Sequence, residues 1–272
     1  MQIGIFAKTF PGMEPLGVLS AVQDSGYACA QFNLACCGLP SMPDTISKET
    51  LAAIRAAVEA TGIPLVALSG TYNMAHPDIA VRRSGLAQLA VIIETAAALS
   101  IPLVTLCTGT RDPNDQWAHH PDNGDASAWA DMAAEMSKAL ELAERHGIDL
   151  GIEPEQANIV TSTKDARRLI DEMGSPRLRI VLDPANLFEQ ATPAQARAIV
   201  AEAVEISAGH LALAHAKDRH GDGRFATVGQ GVVDFADFIA RLRSVNFDGP
   251  LVTHGLSASE APGVAGFLKA LI

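Results

Sequence analysis

Short apolar runs alternate with longer stretches of helical periodicity along the whole chain, eight of each. The runs are expected as strands over residues 2–7, 28–34, 65–69, 103–108, 149–153, 178–183, 211–215 and 251–254. Several are almost continuously apolar, as in strands covered on both faces. Between them, apolar residues recur at threefold and fourfold spacing over 14–24, 48–60, 80–99, 128–146, 164–173, 193–206, 234–244 and 259–271. No Pro/Ser/Gly-rich linker interrupts the alternation and no short repeat underlies it. The expected fold class is therefore α/β, a single (β/α)8 TIM barrel spanning residues 1–272 as one domain. An open doubly wound sheet would call for a G-x-G-x-x-G turn after the first strand, and none is present.

Local signals agree with this phase. Thr192-Pro193-Ala194-Gln195 reads as a capping box with Pro at the first helical position. Ser257-Ala258-Ser259-Glu260 reads as another, and Ser162-Thr163-Lys164-Asp165 as a looser one. Gly147 and Gly174 stand where helices end on a left-handed residue. Connections after strands are long (35–47, 70–79, 109–127, 216–233) and those after helices short, such as Gly147-Ile148. In a barrel the long set builds the reactive face.

Composition narrows the partners. With 31 acidic and 20 basic residues the formal net charge is −11, and no basic stripe appears. That disfavours nucleic acid and anionic membranes. No apolar run approaches the ~20 residues needed to span a bilayer. The start, MQIGIFAKTF, does not read as a signal peptide. Cys29, Cys36, Cys37 and Cys107 form no C-x-x-C pair, so a reduced, cytoplasmic setting is expected.

Four polar groups close apolar strands: Glu153 in GIEPE, Asp183 in VLDPAN, His215 in LAHAKD and His254 in LVTHGL. Two carboxylates and two imidazoles converging from successive barrel strands suit one divalent ion. Glu155 shares the face of Glu153 only if the chain stays extended through Pro154. Lys217 either neutralises a developing negative charge or pairs with Asp218. The loop holding Asn73 and His76 and the loop holding Trp117, His119 and His120 offer aromatic, amide and imidazole groups of the kind a sugar needs. A second metal at His119-His120 is disfavoured because neighbouring side chains point apart. Gly229-Gln230-Gly231 reads as a tight turn before a helix capped by Asp234, not as a phosphate cradle.

GIEPE, LDPAN, HAKD followed by GQG-VVDF, and GPLVTHG, in that order and spacing, resemble the xylose isomerase-like sugar isomerase/epimerase superfamily over essentially the whole chain. The resemblance implies a Mn2+, Mg2+, Zn2+ or Co2+ ion on Glu153, Asp183 and His215, and substrate contacts from Asn186 and Lys217. It also implies that Glu153 serves as a base. The fourth ligand position departs from the pattern, with His254 where the family usually carries Glu. A metal-bound imidazole cannot also take a substrate proton, so His254 is either ligand or base. Two carboxylates and two neutral imidazoles balance a divalent ion to zero, which strengthens its Lewis acidity relative to the usual set.

The first expectation is thus a metal-dependent isomerase or epimerase of a small sugar or polyol ketone. Glu153 would act as base, with Lys217 and His254 assisting. Asn73, His76, Trp117, His120, Glu155 and Asn186 would bind the substrate. The alternative is a metal-dependent lyase, dehydratase or keto-glycoside-cleaving enzyme, which needs one base and one acid. An apurinic endonuclease-like protein would need more metal ligands than can be placed. A non-catalytic sugar-binding barrel and a homo-oligomeric state stay open.

Overall fold

The computed structural model describes all residues, 1–272. Eight parallel strands close into a barrel: β1 (Gln2–Phe6), β2 (Cys29–Phe32), β3 (Leu65–Ser69), β4 (Leu103–Leu106), β5 (Asp149–Ile152), β6 (Leu178–Leu182), β7 (Leu211–Ala216) and β8 (Pro250–Thr253). The seam closes between β1 and β8, with Gln2 opposite Pro250 and Ile5 opposite Thr253. Helices α1 (Pro15–Asp24), α2 (Lys48–Thr61), α3 (Ile79–Ala98), α4 (Ala126–His146), α5 (Thr163–Met173), α6 (Pro193–Ser207), α7 (Phe235–Ser244) and α8 (Ala261–Lys269) follow the strands in turn. No helix is long and apolar enough to cross a membrane.

Helix ends form where the sequence places them. Thr192 and Gln195 make the reciprocal capping box of α6, and the Ser162 hydroxyl accepts the Asp165 N–H at the start of α5. Gly147 (φ 70°) and Gly174 (φ 65°) end α4 and α5 in the left-handed region, where a side chain would be strained. The Ser257–Glu260 segment differs from expectation. It forms a turn in which the Ser257 N–H and hydroxyl both donate to Glu260, and α8 begins only at Ala261. The Ser257 hydroxyl is therefore spent on a carboxylate and caps no backbone N–H.

Side chains alternate across each strand, and two apolar layers result. Ile180 and Leu182 face the helices in the main core, whereas Ala67, Leu103, Val181, Leu213 and Val252 pack on one another inside the barrel. Gly4 and Gly151 complete this inner layer. A Cβ at Gly151 would stand 2.6 Å from Val181 Cγ2, and one at Gly4 would stand 2.7 Å from Cys29 Sγ. Two residues further along each strand, the same inward parity brings up Phe6, Gln31, Ser69, Thr105, Glu153, Asp183, His215 and His254. That next layer, at the carboxyl end of the barrel, is polar in seven of its eight members, and a site follows from it.

Candidate metal centre

One donor atom each from Glu153, Asp183, His215 and His254 lies within 4.8 Å of the other three. Glu153, Asp183 and His254 stand just past the ends of β5, β6 and β8, and His215 lies inside β7. Asp183 is fully buried. Its Oδ1 accepts the Ala185 N–H at 2.8 Å and its Oδ2 lies 3.0 Å from His254 Nε2. Burial alone would raise its carboxyl, but the bond from His254 and the charges of Lys217 and the imidazoles hold it well below the ordinary range. Burial pulls His215 down, yet the carboxylates of Glu153 and Asp183 outweigh it and hold the imidazole above its usual value. His254 is held low by burial and by His215, whose ring centroid is 4.4 Å away.

These four groups fit a divalent ion. Two carboxylates and two imidazoles of opposed proton affinity converge on one small volume. The oxygen and nitrogen donor set is the one borderline divalent metals take. Around it the hydrogen bonds are directional. Asn186 Nδ2 donates to Glu153 Oε1 (2.8 Å), and Lys217 Nζ donates to Asn186 Oδ1 (3.0 Å). The Lys217 ammonium also rests 4.0 Å from the Phe225 ring centroid. Lys217 does not pair with Asp218, because consecutive residues of an extended segment face opposite ways. Asp218 instead accepts the backbone N–H groups of Arg219, Gly229, Gly231 and Val233, and so closes the Gly229–Gly231 turn.

Above the donors lies a cavity of about 420 Å3 lined by Phe6, Lys8, Gln31, Thr71, Cys107, Trp117, Glu153, Glu155, Asn186, His215, Lys217 and His254 among others. Glu155 does reach it. Burial, reinforced by the Glu153 charge, pushes its carboxyl up to about 7. Burial also pushes the Cys107 thiol up to about 12, so the group is a packed thiol and no ready nucleophile.

Three residues expected to contact substrate do not line this cavity, although Asn73 and His76 line a neighbouring, more open one. Asn73 ties two loops together, its Oδ1 accepting the Ala75 and Thr110 N–H groups and its Nδ2 donating to the Asp112 carbonyl. His76 accepts the Asp78 N–H on Nδ1 and lies 3.2 Å from the Pro113 carbonyl through Nε2. His120 accepts the Asp122 N–H and caps the short turn Pro121–Gly124. Loop polar groups buried against other loops satisfy backbone first. Conversely, Gln31 joins the site although no motif marks it in the sequence. It is buried, and its Oε1 lies 2.8 Å from His215 Nε2. Its Nε2 donates to Ser69 Oγ (3.3 Å) and Thr105 Oγ1 (3.2 Å). The available signal was its inward parity in an apolar strand.

The chain is 30% identical over 135 residues to 2-epi-5-epi-valiolone 7-phosphate 2-epimerase of Actinoplanes sp., a match covering 49% of this chain and 44% of that enzyme. Its fold is similar to that of 3-keto-D-glucoside 4-epimerase from E. coli (TM-score 0.77, 19% identity, 99% of both chains). It is also similar to D-allulose 3-epimerase from Methylomonas sp. (TM-score 0.78, 17% identity, 100% and 98% of the chains). The model of the xylose isomerase-like TIM barrel family matches residues 19–270, and with the barrel and its four strand-end donors this places the chain in that family.

Proposed function

We propose that this chain is a metal-dependent enzyme that transfers a proton at a carbon beside the carbonyl of a small polyhydroxylated ketone, an isomerase or epimerase of a sugar. The observation that carries the reading is the double placement of Glu153. One of its oxygens belongs to the donor group, while the residue also lines the cavity where substrate would sit. A divalent ion held there supplies Lewis acidity toward a carbonyl oxygen. Glu153 then takes the proton of the adjacent C–H. Asn186 fixes the angle of its carboxylate, and Lys217 brings positive charge to the oxygen where negative charge develops. The epimerases named above act on comparable compounds, which agrees with this reading.

A second reading has its own support. No carboxylate stands at the end of β8, where two matched bases would require one, and His254 is engaged with Asp183. The cavity instead offers Glu155, whose carboxyl is pushed up to about 7 by burial and by the Glu153 charge in the metal-free chain. A base and a proton donor of unequal affinity are what an elimination uses, so a lyase or dehydratase of a keto-sugar is the alternative.

Metal content of the purified protein, of Asp183→Ala and of His254→Ala, followed by incubation with ketoses in deuterated water, tests both. About one ion per chain, lost on Asp183→Ala, is expected. Deuterium in a rearranged sugar supports the first reading, and loss of water or an alcohol supports the second. A protein that retains no ion after reconstitution would overturn the metal-dependent proposal. A metal-loaded protein that exchanges no proton would leave a sugar-binding barrel.

A further inference from the structure

The cavity above the donors does not end at Trp117. Gln116 and Trp117 line it on one side, and on the other they line a second, more open cavity of about 600 Å3 between the β3 loop, the first turns of α3 and the β4 loop. The buried Tyr72 ring lines this outer cavity. It can lie there because Gly85 has no side chain, and a Cβ at that position would stand 2.2 Å from the ring.

Trp117 is 48% exposed, and Val81 in the same outer cavity is 44% exposed. The backbone that carries the tryptophan is held in place: the Trp117 backbone N–H donates to Asp115 Oδ1 (2.9 Å), and Asn158 Nδ2 donates to the Gln116 carbonyl (3.4 Å). The outer lining contains no lysine or arginine, while Asp112 and Asp115 belong to it. That charge balance disfavours an anionic group such as a phosphate. A half-exposed indole on a tethered backbone, beside hydroxyl and amide side chains, suits the flat C–H face of an uncharged sugar ring.

We propose that the outer cavity is a second ring subsite and that the substrate is therefore a two-ring glycoside. Its keto-sugar lies over Glu153 and Lys217, and a second, uncharged sugar ring leans on Trp117 toward Ser84 and Gln88. The inference rests on the function proposed above for the inner cavity and adds the substrate class.

Calorimetric binding of a keto-disaccharide and of its keto-monosaccharide to the metal-loaded full chain tests it, together with proton exchange on both sugars. The wild-type protein is expected to bind the disaccharide about tenfold more tightly, the size of one aromatic stacking contact. Trp117→Ala is expected to remove that preference. Ser84→Trp, on the exposed surface of α3, fills the outer cavity and is expected to remove it too, with monosaccharide binding and exchange unchanged. Equal binding of the two sugars by the wild-type protein would overturn the proposal. So would a preference that survives Ser84→Trp, or an equal loss of both sugars in Trp117→Ala with Ser84→Trp silent. A disaccharide preference that vanishes in Ser84→Trp without exchange of either sugar would uphold the subsite and sink the catalytic reading alone.

Discussion

Gln31 shows how much one buried amide decides. Its Nε2 donates to two hydroxyls, and its Oε1 lies 2.8 Å from His215 Nε2. With Nε2 engaged there, Nδ1 faces Glu153 and Asp183, 3.3 and 3.9 Å away, the side on which an ion would be held. Gln31→Leu is expected to weaken metal binding about 10- to 100-fold, the usual effect of removing a hydrogen-bond partner of a ligand histidine. Metal titration of the folded variant checks this, and unchanged affinity would refute it. Glu155 makes a pH prediction. Its carboxyl is raised from 4.5 to about 7 in the folded chain, so in that window the folded state keeps a proton the unfolded chain has lost. Stability must then fall as pH rises through the window. Chelator-treated wild-type protein is expected to lose stability between about pH 5 and about pH 8 relative to Glu155→Gln, in denaturant titrations at each pH. Parallel curves would disprove the shift.

At the scale of elements, the loop after β7 is built around one acid. Asp218 is fully buried and satisfies the N–H groups of four residues, three of them beyond a ten-residue excursion. The excursion includes a two-residue antiparallel pairing, Asp218–Arg219 with Phe225–Ala226, which carries the Phe225 ring beneath Lys217. Gly231 permits the approach, because a Cβ there would stand 2.2 Å from Asp218 Oδ1. Asp218→Ala removes the shared acceptor of these four backbone donors and empties a buried site, at a cost of about 3 kcal/mol. Chemical denaturation should show that loss. It should also show a comparable one for Gly231→Ala, whose added methyl displaces the same carboxylate. A variant of either kind with wild-type stability would mean the turn holds itself without Asp218.

For the whole molecule, the metal-ligand candidates come from strands β5 to β8 and span more than a hundred residues of chain, from Glu153 to His254. An ion bound only by the closed barrel stabilises it by mass action, about 2.7 kcal/mol when free ion exceeds its dissociation constant a hundredfold. Adding a chelator is expected to lower the thermal midpoint of the wild-type protein and to leave Asp183→Ala unmoved. A chelator shift of equal size in both would locate the ion elsewhere.

Much of this molecule was written locally. Strand and helix positions follow from side-chain period, and the caps at Thr192 and Ser162 and the glycine stops at 147 and 174 need only neighbours within a turn. Glu153, Asp183, His215 and His254 were legible as a group because each closes or nearly closes an apolar strand, and parallel strands in a barrel all end at one face. The fate of loop side chains was not legible. Asn73, His76 and His120 carry the same chemistry as the residues that line the inner cavity, but whether they meet that cavity, the outer one or a neighbouring backbone depends on which loops pack together. Gln31 was hidden for the opposite reason, since a glutamine inside β2 has no meaning until barrel closure sets it beside His215, 184 residues away in the chain. The sequence by itself thus determined the elements, the barrel and the four donors, because those depend on period and strand direction. Only the tertiary structure decided which groups meet the two nitrogens of His215, where Lys217 points and which loop residues line the cavity, because those depend on contacts between segments far apart in the chain.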